Sequence, residues 1–213
     1  MSFDKDSLLL YIVTDRTWLA GRTLASRVEA ALQGGATCVQ MREKELDAEA
    51  FLREARAMRE VTARHGVPFI VNDDVEIALA CGADGVHVGQ SDLKACEARK
   101  RIGPGKILGV SVHTVEQAVQ AAENGADYLG VGAVFSTSTK QDADRVSADM
   151  LQNICRAVSV PVVAIGGISA QNIAQLSGSG IAGVAVISAI FASPDAGEAA
   201  REMKALAQEA VRL

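Results

Sequence analysis

Gly82-Ala83-Asp84-Gly85-Val86-His87-Val88 is the stretch on which the fold turns: a glycine that ends a helix, then a run of strand-forming residues. The signature returns as Gly35-Ala36-Thr37-Cys38-Val39, as Gly125-Ala126-Asp127-Tyr128-Leu129 and as Gly180-Ile181-Ala182-Gly183-Val184. Successive copies start 47, 43 and 55 residues apart, room for about two strand–helix units each. Further apolar runs, rich in Val and Ile, lie between them at 8–13, 69–71, 107–110 and 162–165. Amphipathic segments at 24–33, 48–64, 75–80, 93–101, 114–124, 148–157, 172–176 and 195–213 predict helices. Thr114-x-x-Gln117 reads as a capping box, and Ser193-Pro194 as a cap before a first-turn proline. Short buried strands alternating with helices mean parallel pairing. Eight such units predict an α/β chain, a single-domain (β/α)8 barrel over residues 1–213. An open doubly wound sheet is the competing arrangement, but no G-x-G-x-x-G follows the first strand to support it.

Composition narrows the partners. A formal charge of -5 gives no support for nucleic acid or an anionic membrane, so an anionic ligand would need local cations. Cys38, Cys81, Cys96 and Cys155 are scattered without metal-like spacing, the pattern of free thiols in a reducing cytosol. No charged residue lies between Arg156 and Asp195, but Pro161, Gly166, Gly167 and several amides break that stretch into pieces too short to span a bilayer. Asp4 and Asp6 precede an apolar run too short for a signal peptide, so a cytoplasmic location is expected.

The apolar runs end in polar clusters rather than ordinary turns, and parallel strands would gather these on one rim. Gln40, Arg42 and Lys44 alternate as the second strand ends, placing an amide and two cations on one side. Arg42-Glu43-Lys44-Glu45 also alternates in sign and equally fits a solvated, self-paired turn. Asn72-Asp73-Asp74 follows the third strand and Asp92 the fourth, an arrangement suited to Mg2+, which takes one or two carboxylates plus phosphate and water oxygens. Asp73, with Glu76 three residues on, also reads as a helix cap, as does Asp92 before a helix near Leu93; spacing does not separate cap from ligand. Thr137-Ser138-Thr139-Lys140 follows the sixth strand. Gly166-Gly167 and Ile187-Ser188 follow the seventh and eighth, the usual phosphate site of this barrel. His87 alternates with Val86 and Val88 as a packed interior residue, and His113 falls beside a helix cap. Trp18 and Arg22 lie in a first loop able to act as a cover.

Taken together, Tyr11-Ile-Val-Thr-Asp15, Val39-Gln-Met-Arg-Glu-Lys44, Phe69-Ile-Val-Asn-Asp-Asp74, Val86-His-Val-Gly-Gln-Ser-Asp92, Gly109-Val-Ser-Val-His-Thr114, Thr137-x-Thr139-Lys140, Ile165-Gly-Gly-Ile168 and Val186-Ile-Ser-Ala-Ile190 resemble the thiamine-phosphate synthase family over nearly the whole chain. The resemblance implies a transferase that joins a hydroxymethylpyrimidine diphosphate to a thiazole phosphate with release of pyrophosphate. It implies that Gln40, Arg42, Lys44, Asn72, Ser111 and Lys140 contact the pyrimidine diphosphate, and that Arg42, Ser111 and Lys140 serve catalysis. Asp73 and Asp92 would bind Mg2+, and Thr137, Thr139, Gly167, Ile187 and Ser188 would hold the thiazole phosphate. Ala133 and Ser136 stand where the family pattern carries prolines, and Ser147 where a glycine is common. A related thiazole tautomerase branch shares the histidine after the fifth strand but lacks the Asn-Asp-Asp and Gln-x-Asp pair found here. A Schiff-base aldolase using Lys44 or Lys140, and a non-catalytic phosphate sensor, are the remaining readings. The oligomeric state is not legible.

Overall fold

The computed structural model describes residues 4–19, 21–90, 95–136 and 145–212. Eight parallel strands close into a barrel in chain order: β1 (Leu10–Val13), β2 (Cys38–Met41), β3 (Phe69–Asn72), β4 (Gly85–Val88), β5 (Ile107–Val112), β6 (Tyr128–Val131), β7 (Val162–Ile165) and β8 (Gly183–Val186). The helices are α1 (Leu24–Gln33), α2 (Ala48–Arg64), α3 (Val75–Ala80), α4 (Ala95–Ile102), α5 (Val115–Glu123), α6 (Ala148–Ala157), α7 (Ser188–Phe191) and α8 (Ala196–Val211). The predicted helix at 172–176 is a single 3-10 turn, Ile173–Leu176, since no side chain caps it and the segment is too short for α bonding. A second 3-10 turn, Lys5–Leu8, enters β1. No helix among the described residues is long and apolar enough to cross a membrane.

The period-2 alternation divides the core in two. Outward residues such as Ile12, Val39, Val71, Val86, Val110, Leu129 and Val184 pack under the helices. Tyr11, Val13, Cys38, Ile70, Tyr128, Val163 and Ala185 fill the barrel itself.

The repeat that announced the fold has a physical cause. Gly35, Gly82, Gly125 and Gly180 all have positive φ, reversing the chain after a helix or turn at little steric cost. The third residue of three copies then fastens the start of the preceding strand. Thr37 Oγ1 accepts from Leu10 N (2.9 Å), Asp84 Oδ2 from Phe69 N (2.8 Å) and Asp127 Oδ2 from Leu108 N (2.7 Å). Arg59 and Arg99 pair with Asp84 and Asp127, so each carboxylate joins a guanidinium to the backbone N–H of the preceding strand.

Several helix caps match the sequence, with three corrections. Asp195, not Ser193, caps α8, accepting from Gly197 N and Glu198 N, because the turn at Ser193 closes on itself first. Thr114 caps α5, but Gln117 reaches back one residue further, to His113 N. Asp74, not Asp73, caps α3, its carboxylate accepting from Ile77 N at 2.9 Å.

Candidate active site

A cavity opens at the C-terminal ends of the strands. Its walls include Gln40 on β2 and Arg42 just after it, Asn72 at the end of β3, Ser111 on β5 and His113 just after it, Gly132 and Ala133 after β6, and Gly166 and Ile187 after β7 and β8. The closed parallel barrel puts these tips together although 147 residues separate Gln40 from Ile187.

The alternation expected for Gln40, Arg42 and Lys44 holds only through Arg42. The Glu43 carboxylate accepts from the backbone N–H groups of Lys44 (2.9 Å) and Glu45 (3.2 Å), turning the chain away. Lys44 therefore lines an adjoining shallow cleft with Asn72, Asp73, Asp74 and Arg101, not the deep cavity. Nor do the signs in Arg42-Glu43-Lys44-Glu45 pair with each other. Glu43 meets Arg16 of the first loop at 2.5 Å, Arg16 also binds Glu54, and Arg42 stands 3.9 Å from Asp15. Burial alone would raise the Glu43 carboxyl, but the bonds from Arg16 and the two backbone amides outweigh it and hold it below the ordinary carboxylate range.

Asp73 sits in left-handed backbone at φ 63°, the one described non-glycine residue with positive φ. Its N–H donates to His87 O (2.8 Å), and its carboxylate accepts from Asn72 Nδ2 (2.5 Å). With the cap supplied by Asp74, the exposed Asp73 carboxylate is held at the rim beside Asn72 by strained backbone, the kind of strain found at functional positions.

On the opposite rim, Val134 N and Phe135 N donate to Ile165 O and Gly166 O, so the loop after β6 is zipped to the β7 tip. Gly166 and Gly167 both have positive φ, and a Cβ at Gly167 would lie 2.3 Å from Ser136 O. Asn172 fixes the same turn through Gly167 O (2.8 Å) and Ser169 N (2.8 Å). Ser147, standing where the family pattern has glycine, caps α6 by accepting from Met150 N. Ile187 and Ser188 begin α7, whose first turn has no side-chain cap. Buried Arg27 holds its other end, donating to Phe191 O (2.6 Å) and Ser193 O (2.7 Å). Asp92, Thr137, Thr139 and Lys140 lie outside the described residues.

From the sequence alone, His87 reads as a packed interior residue, and Tyr11 and Tyr128 carry no role in the site. All three line the cavity floor. Gly109 makes room for Tyr128 and His87: a Cβ there would lie 2.2 Å from Tyr128 Cζ and 2.4 Å from His87 Nδ1. A signal was available, since Tyr128 occupies a repeat position where two other copies carry glycine. The cysteines are free thiols; burial raises Cys38, Cys81 and Cys155, the last to about 11, which makes those three poor nucleophiles.

Comparison with known proteins agrees with this geometry. A family profile described as thiamine monophosphate synthase matches residues 10–190. A thiamine-phosphate synthase of Ruminiclostridium cellulolyticum is 52% identical over 194 residues, covering 91% of this chain and 92% of its own. One from Clostridium beijerinckii is 49% identical, covering 92% and 93%. The solved thiamine phosphate pyrophosphorylase from Pyrococcus furiosus superposes with a TM-score of 0.90 at 37% identity, over 97% of this chain and 98% of that one. The chain belongs to the thiamine monophosphate synthase family.

Proposed function

We propose that this cavity binds an aminopyrimidine diphosphate beside a thiazole phosphate and joins them to thiamine phosphate, releasing pyrophosphate. As a family member the chain is a transferase of thiamine biosynthesis. The observation that carries the reading is the convergence of Gln40, Arg42, Asn72, Ser111, Gly166 and Ile187, from five strand tips, on one cavity. Gln40 and Ser111 lie deep enough to take the pyrimidine ring, with Arg42, Lys44, Asn72 and Lys140 meeting its diphosphate. Thr137, Thr139, Gly167, Ile187 and Ser188 hold the thiazole phosphate.

Asp73 fits a role in holding Mg2+, with Asp92 as its partner. Its carboxylate is at the rim and is not consumed by capping, and Asn72 steadies it. Mg2+ takes only one or two carboxylates and draws the rest of its shell from phosphate and water oxygens, so two Asp residues would suffice. Bound there, Mg2+ would neutralise charge on the diphosphate. With two carboxylates offsetting the ion, Arg42, Lys44 and Lys140 leave the site about three charges positive, matching a pyrophosphate leaving group of about three negative charges. Cations fixed beside the departing oxygens stabilise the transition state more than the ground state. The carbon–oxygen bond breaks first, the aminopyrimidine ring spreads the positive charge of its methylene, and the thiazole nitrogen captures it. No protein nucleophile is required, and the displacement of Lys44 from the deep cavity disfavours its use as a Schiff-base amine.

The test is direct: enzyme, Mg2+, both substrates, and assay for thiamine phosphate and pyrophosphate. Formation of both in equal amounts is expected. Binding of the substrates without pyrophosphate release would identify a sensor and refute the proposal.

A further inference from the structure

Five side chains from β2, β1, β6, β4 and β5 form an unbroken series beneath the cavity, crossing the barrel between Tyr11 and Tyr128. Gln40 Nε2 lies 2.8 Å from Tyr11 Oη, Tyr11 Oη 2.7 Å from Tyr128 Oη, Tyr128 Oη 2.9 Å from His87 Nδ1, and His87 Nε2 2.8 Å from Ser111 Oγ. The interior members are enclosed, Tyr11 at 1% exposure and Tyr128 at 0%. The two ends, the Gln40 carboxamide and the Ser111 hydroxyl, are the groups assigned above to the pyrimidine, and Tyr11, Tyr128 and His87 lie on the cavity floor between them.

We infer that Tyr11, Tyr128 and His87 are positioning residues that couple these two ends, so that together they offer the substrate one hydrogen-bond acceptor and one donor and never two of a kind. The inference rests on the proposed pyrimidine site.

The coupling follows from counting protons. A tyrosine hydroxyl has one hydrogen to give, and a neutral imidazole carries one N–H. Burial pushes both tyrosines well above their ordinary pKa, so each keeps its hydrogen. With the Gln40 amide nitrogen donating to Tyr11, Tyr11 donates to Tyr128 and Tyr128 to His87 Nδ1. The imidazole proton then sits on Nε2 and points at Ser111 Oγ. Ser111 is left to donate into the cavity, while Gln40 presents its oxygen there as an acceptor. Turning the carboxamide over reverses every link and leaves Gln40 as donor and Ser111 as acceptor. Either way the ends differ in kind.

An amino group next to a ring nitrogen presents one donor and one acceptor and fits. A ring with methoxy in place of that amino group presents two acceptors and leaves one unpaired, though its oxygen still releases electrons to support the departing pyrophosphate. An unpaired buried polar group lowers binding by about 10- to 100-fold.

The experiment compares kcat/KM for the amino and methoxy pyrimidine diphosphates in the wild type and in Tyr128→Phe, with Tyr11→Phe as a second cut. The wild type is expected to prefer the amino substrate by about 10- to 100-fold. Either cut lets the carboxamide turn independently of Ser111, so the preference falls at least tenfold while KM for thiazole phosphate stays unchanged. An equal loss of kcat/KM for both substrates, with the ratio preserved, would mean the tyrosines merely pack the floor and would overturn the coupling. A wild type that makes no thiamine phosphate from the amino substrate would overturn the underlying site assignment, and the selector role with it.

Discussion

Two adjacent carboxylates, Asp73 and Asp74, give opposite signatures if the assignment is right, and substituting them separately tests it. Asp74→Ala removes the acceptor of the 2.9 Å bond from Ile77 N at the start of α3. Loss of a cap costs about 1 kcal/mol, and in a chain of this size that lowers Tm by about 2–4 °C. Nothing in the metal shell changes, so the Mg2+ concentration giving half-maximal rate should stay where it is. Asp73→Asn keeps a residue type that tolerates φ 63° and leaves the cap in place, so Tm should move by less than about 1 °C. The charge facing Mg2+ is lost, however. Groups that only orient a metal's ligands are worth about 10- to 100-fold in affinity, so a direct ligand sets at least about a tenfold rise in the Mg2+ requirement. Thermal unfolding without Mg2+ and initial rates across a Mg2+ titration measure both quantities. A raised Mg2+ requirement in Asp74→Ala, or an unchanged one in Asp73→Asn, would refute the division of labour.

Three further outcomes follow. Lys140→Ala should lower turnover about 100-fold, the size of one lost oxyanion contact, with the circular dichroism spectrum unchanged; a near-normal rate would remove Lys140 from the mechanism. Glu43→Gln should destabilise the wild-type fold at neutral pH, and the gap in Tm between the two should close in acid. The folded Glu43 pKa is depressed, so its contribution is complete above the unfolded carboxylate value and is lost as pH falls through the folded one; a gap that persists in strong acid would exclude the ion pair to Arg16. Arg27→Met should cost about 2–4 kcal/mol by leaving Phe191 O and Ser193 O unpaired, and should raise KM for thiazole phosphate but not for the pyrimidine. Equal effects on both substrates would show that Arg27 does not act through α7.

The sequence by itself determined the barrel. Helix-ending glycines at a double-unit spacing, Val- and Ile-rich strands and local caps are short-range signals, and each predicted strand is present within a few residues. It also marked Gln40, Arg42, Asn72, Ser111 and Ile187 as strand-tip residues, and these meet at one cavity because tips must converge once parallel strands close. It did not separate Asp73 from Asp74, since either spacing fits a cap, and only backbone geometry shows that Asp74 takes it while Asp73 is held at positive φ. It carried Lys44 into the deep cavity by extending a strand period past Met41, where the Glu43 carboxylate bends the chain instead. The Gln40–Tyr11–Tyr128–His87–Ser111 series was the least legible feature. Its members are up to 117 positions from the neighbour they bond, and polar contacts across a closed barrel depend on strand register, which periodicity along one strand does not encode.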